Sequence, residues 1–212
     1  MIISHGKASH ACEPKKGVNA AMALVELLAS NFNYEQLGSI CSFLNSCIGL
    51  ENNGNSLGIK MRDSVSGELT VNVGTIHIGD TYATATIDVR YPVTMDGNAI
   101  LYRIKKRAKN ENLNVKVLSH LKPLNIDEDA PIISLLSASY KEVMGVEPDL
   151  YSTGGGTYAR MLDNKGVAFG PLFKDDYSNM HNANESLDEE KFMKHAEICL
   201  EAMYRMFTGN FE

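Results

Sequence analysis

The residue types best suited to ligand chemistry lie near the end of the chain, in the stretch YSTGGGTYARMLDNKGVAFGPLFKDDYSNMHNANE. Its three consecutive glycines, Gly154, Gly155 and Gly156, let the backbone approach a ligand closely, and N–H groups at a helix start can bind an anion. A tight turn between a strand and a short helix is the alternative interpretation. His181 follows in a polar loop, where an imidazole is either a metal ligand or an ordinary surface side chain.

Two more side chains have the chemistry to act on a carbonyl or a carboxylate. His10, in GKASHACEP, stands before the first predicted helix, where its imidazole could donate a hydrogen bond to a developing oxyanion. Arg90 ends the strand-like run ATIDVR, and its planar guanidinium can bind both oxygens of a carboxylate. The alternatives are a surface histidine and a surface ion pair. No His-Glu-x-x-His motif or cysteine pair accompanies His181, so spacing alone does not define a metal site.

The elements that must position these side chains are predicted from periodicity. Apolar residues at helical spacing indicate an amphipathic helix over 17–30 and a weaker one over 34–48. Two alternating runs, ELTVNVGTIHIG and TYATATIDVRYP, flank a Gly-Asp pair and predict an antiparallel hairpin. A helix over 96–111 and a strand over 114–121 follow. With a first short strand within 1–8, the order predicts an α+β sandwich, with helices on one face of an antiparallel sheet.

A linker-like stretch separates this sandwich from a different pattern. A helix ended by Gly145 comes next, and two short predicted strands, DLYST and GVAFG, flank the glycine loop. The closing helix is predicted to begin with a capping box of Ser186 and Glu189. We therefore predict one complete small domain followed by the tail of a second: 1–121 and 122–212.

Composition limits the classes of partner. The 212 residues are 44% hydrophobic and 22% charged, and their net charge of -6 makes nucleic acid and anionic membranes poor partners. We interpret the basic run Lys105-Lys106-Arg107 as a solvated helix face. No apolar run approaches the roughly 20 residues of a membrane span, and no secretory signal is apparent. The four cysteines lack C-x-x-C spacing, so we expect free thiols and a cytoplasmic protein.

Taken together, the motifs resemble one family over nearly the whole chain and in the family's order. GKASHACEPKKGVNAAMALVELL resembles the segment that opens the lid domain of the dinuclear zinc metallopeptidases, the group of carboxypeptidase G, succinyl-diaminopimelate desuccinylase and the aminoacylases. GGGTYAR…VAFGP, followed by HNANE, is similar more narrowly to the PepV-type bacterial dipeptidases, and the insertion LGIKMRDSVSGELTVNVGTI agrees with that branch. The resemblance implies a lid domain over 1–121 and the C-terminal part of an α/β catalytic domain over 122–212.

The resemblance also implies a role for each matching residue. His10 corresponds to the lid histidine that stabilises the tetrahedral intermediate, and Arg90, in DVRYP, to the arginine that holds the substrate's C-terminal carboxylate. The loop 154–156 corresponds to the backbone facing that carboxylate, and Asn72 to a lid asparagine near the substrate. His181 corresponds to the last zinc ligand of the chain. The intact family enzyme holds two zinc ions and cleaves a small peptide with a free C-terminal carboxylate.

The family's other zinc ligands and its Glu-Glu pair lie upstream of the lid and match nothing in this sequence. The resemblance therefore implies a truncated dipeptidase with at most one weak zinc site, inactive by itself. We expect self-association through the lid sheet or through the half-domain after residue 122. Two alternatives stay open: a non-catalytic, self-associating module derived from the lid, and a small-anion-binding protein that uses the glycine loop.

Overall fold

The computed structural model describes the chain as two compact units. The first comprises Met1–Pro123 with Ser152–Gly155, and the second Leu124–Tyr151 with Gly156–Glu212. Their assignment to a lid domain and to part of a catalytic domain stays a prediction. The residues described are 1–173, 176, 180–181 and 183–209.

Three helices of the first unit confirm the sequence predictions: α1 (Ala20–Ala29), α2 (Tyr34–Cys47) and α3 (Gly97–Asn110). The first two helices begin where a side chain accepts a hydrogen bond from a main-chain N–H group. The Asn19 side chain accepts from Met22 at the start of α1. Asn33 and Gln36 form a reciprocal capping box at the start of α2.

The predicted hairpin is also confirmed. Strand β3 (Thr70–Ile78) pairs antiparallel with β4 (Ala83–Arg90), and a two-residue pair, β1 (Arg62–Asp63) with β2 (Gly67–Glu68), precedes it. Since successive side chains of a strand point to opposite faces, Val71 and Val89 face the helices while their neighbours along the strands face the other way. The register places four polar residues together on that second face: Thr70 opposite Arg90, and Asn72 opposite Asp88.

The core of the first unit lies between the helices and the apolar face of the hairpin. Leu44 of α2, Ile59 before the hairpin and Leu69 beside it each have 0% exposure. Burying a side chain of this size stabilises the folded state by roughly 1.5–3 kcal/mol. The same cluster includes residues from α1 and α3: Met22, Val25, Ile100, Ile104 and Ala108. The hairpin packs on this core through its apolar face, which fixes the position of its polar face.

Two strands predicted for this unit do not form. Within 1–8, Lys7 makes only an isolated bridge to Val18, and the opening apolar residues are exposed. The segment 114–121 has no ladder assigned to it; its Val115 packs against the core, and its Leu118 is 75% exposed. A segment with strand propensity forms a ladder only where another strand pairs with it. The fold class is α+β as predicted, but the main sheet is a two-stranded hairpin.

Asp63 fastens the turn between β1 and β2 to the residues after the hairpin. Its Oδ1 accepts hydrogen bonds from the N–H groups of Ser66, at 2.6 Å, and Gly67, at 3.1 Å. Its Oδ2 accepts from the Thr94 hydroxyl at 2.9 Å. These bonds, the Ser66 N–H first among them, favour the charged carboxylate and lower the pKa of Asp63 from 3.8 to about 2.

We expect this carboxylate to make stability depend on acid. The folded pKa lies below the unfolded one, so the unfolded state takes up the proton first. The contribution is fully present above pH 3.8 and is lost as the pH falls to about 2. Urea unfolding of the native protein and of Asp63→Asn across this range measures it: the difference between their free energies of unfolding should narrow toward the acid end. A difference independent of pH would contradict the assignment.

The second unit is built on α4 (Pro131–Met144) and α5 (Glu189–Thr208), which pack on each other. As predicted, α4 ends at Gly145, whose φ of 72° is left-handed and suits glycine. A short 3₁₀ helix, Tyr158–Leu162, follows the glycine loop. The buried contacts include Leu135 of α4 and Ile198 of α5. No helix within the described residues has both the length and the apolar character needed to cross a membrane.

Three predictions for this unit are wrong. The last helix begins at Glu189, and its cap is Asp188, whose side chain accepts from the Lys191 N–H at 3.0 Å. Ser186 therefore lies outside the helix, since the nearer aspartate is an equally good cap. DLYST and GVAFG are not strands where the structure describes them. Neither has a neighbouring strand in the ladders assigned, and an isolated extended segment is not a strand.

Helix α5 carries apolar residues on two faces. One face buries Ile198 and Ala202. Another bears exposed apolar side chains at helical spacing, with Leu200 exposed at 65% and Phe207 at 90%. The rest of this exposed face, called the α5 outer face below, consists of Met193, Met203 and Tyr204.

Candidate functional site

Arg90 is the last residue of β4 and projects from the polar face of the hairpin. Its Nε donates to Asp88 Oδ1 at 2.9 Å and its Nη2 to Asp88 Oδ2 at 3.3 Å. Its Nη1 donates to the Gly154 carbonyl. We predicted an exposed arginine at a strand end. It is at the strand end, but its side chain is only 28% exposed and forms the ion pair that was the alternative interpretation.

The ion pair leaves part of the guanidinium available. Arginine has five N–H donors, and Asp88 and Gly154 take three of those of Arg90. The other two have no acceptor among the described residues. They lie on the two terminal nitrogens, a pair that can bind the two oxygens of a second carboxylate. Asp88 thus orients Arg90 without exhausting its donors.

Gly154 approaches Cys12 closely. A Cβ atom added at Gly154 would lie 2.8 Å from the Cβ of Cys12, so any side chain there would force one segment to move. The close approach at Gly154 is to a segment of the protein itself, and the predicted approach of the glycines to a ligand stays a prediction. The Gly155 N–H donates to the Thr153 hydroxyl at 3.1 Å, and a Cβ on Gly156 would meet nothing. Packing explains only the first of the three glycines.

His10 contacts Cys12 through Nδ1. The Cys12 sulfur lies 2.7 Å from this nitrogen, and the Cys12 main-chain N–H donates to it at 3.3 Å. Burial raises the pKa of the Cys12 thiol, and the positive charge of Arg90 opposes this. His10, Cys12, Gly154, Arg90 and Asp88 are therefore linked by successive contacts within the first unit. We call this set the Arg90 cluster.

Asn72 borders the Arg90 cluster on the polar face of the hairpin. It pairs directly with Asp88 in the ladder between β3 and β4. Its Oδ1 accepts from Asn19 Nδ2 at 3.3 Å, and that same nitrogen donates to the Val73 carbonyl at 2.8 Å. Asn19, the cap of α1, thus holds Asn72 beside the ion pair. The contact between Asn72 and the substrate stays a prediction.

His181 belongs to the second unit. It has a left-handed φ of 65°, and its main-chain N–H donates to Glu185 Oε2 at 3.2 Å. Within residues 1–173, 176, 180–181 and 183–209, no three histidine, cysteine, aspartate or glutamate side chains are grouped to hold a metal ion. A catalytic zinc needs about three protein ligands. The described residues do not fit such an ion, so no chemical step is assigned to one.

Sequence reasoning missed two members of the Arg90 cluster. Asp88 could have been found, because residues i and i+2 of a strand share a face and the predicted strand contains both Asp88 and Arg90. Cys12 had no such signal: a cysteine two residues after a histidine in a turn predicts no contact. All four cysteines are free thiols, as expected.

Comparison with known proteins identifies the family. Residues 11–205 match the sequence profile of Peptidase family M20/M25/M40. The chain therefore belongs to this family.

Three similar proteins agree with this assignment. Two staphylococcal proteins, both named "Putative dipeptidase", are 32% identical over 97% of the chain (Staphylococcus haemolyticus) and 31% identical over 97% (Staphylococcus aureus). In both, the matched region is 44% of the relative, so the chain spans less than half the length of these proteins. The crystal structure of the M20 family metallo-carboxypeptidase Sso-CP2 from Sulfolobus solfataricus has the same fold. Its TM-score is 0.53 and its identity 19%, covering 86% of this chain and 44% of that one.

Proposed function

We propose that this chain supplies the lid domain (1–121) and the C-terminal part of the catalytic domain (122–212) of a PepV-type, cytoplasmic dipeptidase. In this proposal the substrate is a small peptide that has a free C-terminal carboxylate. His181 would be one ligand of a zinc ion whose other ligands lie outside this chain, and the ion would supply activation of the attacking water. The Arg90 cluster carries the proposal, because an oriented guanidinium with two available donors and an imidazole are linked through Gly154 and Cys12. The two staphylococcal relatives support the choice of a dipeptidase.

The side chains of the first unit have separate tasks. The two remaining Arg90 donors bind the substrate carboxylate, and Asn72 lies beside them on the hairpin. His10 donates a hydrogen bond to the oxygen of the attacked carbonyl, where negative charge develops in the transition state. Fixing the carboxylate and the carbonyl together positions the scissile bond, which lowers the entropic part of the barrier.

A chimeric enzyme tests the proposal. In this chimera, residues 1–212 replace the matching region of the Staphylococcus haemolyticus relative, and the remaining segments of that relative are kept. We call this chimera the complete enzyme. We expect zinc-dependent hydrolysis of unsubstituted dipeptides and little hydrolysis of dipeptide C-terminal amides, which cannot form the carboxylate contact. A folded chimera that cleaves amides and free dipeptides equally would contradict the proposal.

We expect residues 1–212 alone to hydrolyse no dipeptide and to bind zinc weakly. His181 is the only proposed zinc ligand in the described residues, whereas a catalytic zinc normally has three. Calorimetric zinc titration and a dipeptide assay with added zinc, on the native chain and on His181→Ala, make the measurement. Zinc-dependent turnover that needs His181 would show that the metal site has been assigned wrongly.

One observation favours a second candidate, a chain that self-associates through the half-domain after residue 122. The α5 outer face exposes a run of large apolar side chains, and contiguous patches of this kind often mark interaction sites. Under this candidate we expect light scattering to give a mass above that of the monomer, and Leu200→Glu to reduce it. Tyr102→Glu is the matched control, since Tyr102 is exposed to 67% on α3 of the other unit. A well-ordered monomer of the native chain would exclude the candidate.

A further inference from the structure

The environment of His10 Nδ1 determines where its imidazole carries a proton. Two groups of Cys12 face this nitrogen: the main-chain N–H at 3.3 Å and the thiol sulfur at 2.7 Å. A main-chain N–H can only donate, so Nδ1 must accept. A ring nitrogen that accepts carries no proton, and the neutral imidazole therefore has its proton on Nε2.

The thiol sulfur faces the same nitrogen, and with Nδ1 unprotonated its S–H can share the single lone pair of Nδ1 with the main-chain N–H. In the opposite arrangement, a thiolate would accept from a protonated Nδ1, and that proton would then face the Cys12 main-chain N–H. The neutral thiol avoids this repulsion. Burial acts in the same direction, since it raises the pKa of Cys12 and keeps the sulfur protonated, although Arg90 partly opposes it.

We propose that Cys12 is a positioning residue, which holds the His10 imidazole in the tautomer protonated at Nε2. In this tautomer the ring presents an N–H, and not a lone pair, on the side away from Cys12. The consequence for catalysis rests on the proposed function, because only there does Nε2–H donate to the developing oxyanion. The tautomer itself is a property of this chain and does not depend on any activity.

Nitrogen NMR measures the tautomer directly. The imidazoles are labelled with ¹⁵N, and spectra are recorded at about pH 8.5, well above the ordinary histidine value of about 6.5. His10→Gln assigns the His10 signals among the six histidines. We expect native His10 to show two well-separated ¹⁵N shifts, with the proton on Nε2. A proton on Nδ1, or two averaged shifts in the native protein, overturns the proposal without any variant of Cys12.

Variants of Cys12 test whether its side chain is responsible. Cys12→Ala removes the thiol donor. It should reduce the population ratio of the tautomer protonated at Nε2 to the tautomer protonated at Nδ1 by roughly threefold or more, the factor to which one hydrogen bond corresponds. Cys12→Ser keeps a donor and should preserve the ratio. Cys199→Ala is the matched control, because its sulfur lies 3.4 Å from a nitrogen of another histidine, His195. Unchanged His10 shifts in Cys12→Ala overturn the proposal.

The two proposals can fail separately. If the native tautomer is as expected and depends on Cys12 but the complete enzyme cleaves no dipeptide, the proposed function fails and the tautomer assignment holds. If the complete enzyme is active, Cys12→Ala should lower kcat and leave KM nearly unchanged, with Cys12→Ser close to native. Loss of activity with an unchanged tautomer would place the role of Cys12 elsewhere.

Discussion

Replacing His10 by alanine in the complete enzyme is expected to lower kcat by about 10²–10³, with little change in KM. Removing one donor from an oxyanion hole typically has an effect of this size. The hydrogen bond strengthens only as charge develops on the carbonyl oxygen, so the ground-state complex loses little. Steady-state kinetics on an unsubstituted dipeptide, with folding checked by circular dichroism, provides the measurement.

Two matched variants separate this role from a general disturbance of the segment. His5→Ala removes an imidazole from the same exposed segment outside the Arg90 cluster and should leave kcat unchanged. His10→Gln keeps an N–H donor and should recover part of the rate. A large rise in KM with kcat preserved would place His10 in substrate binding and not in stabilising the transition state.

The elements whose sequence signals lie within the element itself could be predicted from the sequence. Helix α1 has apolar spacing and an asparagine cap, and the β3–β4 hairpin has two alternating runs around a Gly-Asp turn. The segment 114–121 resembles the hairpin strands in composition but has no assigned ladder. Its strand would have required a neighbour that composition cannot specify, since tertiary context overrides strand propensity.

The site was predictable to a similar degree. The resemblance identified His10, Arg90 and the glycine loop, and the structure links the first two through Cys12 and Gly154. The contact between Gly154 and Cys12 joins residues far apart in sequence, so no local pattern could reveal it. Asp88 was available from the strand period, but its bond to Arg90 required the register and rotamer of the folded hairpin.

Arg90→Ala in the complete enzyme is expected to raise KM and to lower kcat/KM. The decrease in kcat/KM should correspond to a loss of about 2–4 kcal/mol of transition-state stabilisation, the cost of leaving the substrate carboxylate without its charged hydrogen-bond partner. The effect should disappear with a dipeptide amide, which has no carboxylate to lose. Arg90→Lys should recover little, because an ammonium cannot both hold Asp88 and offer two parallel donors to the substrate.

Asp88→Asn distinguishes this role from a purely structural ion pair. If Arg90 serves only to pair with Asp88, the two variants should lower stability and activity to the same extent. If Arg90 binds the carboxylate, Asp88→Asn keeps both substrate-facing donors but orients them less well, so its effect on kcat/KM should be smaller than that of Arg90→Ala. Dipeptide cleavage by Arg90→Ala at the parent rate would show that the carboxylate is bound elsewhere, and Arg90 would then be the structural ion pair that Asp88 also allows.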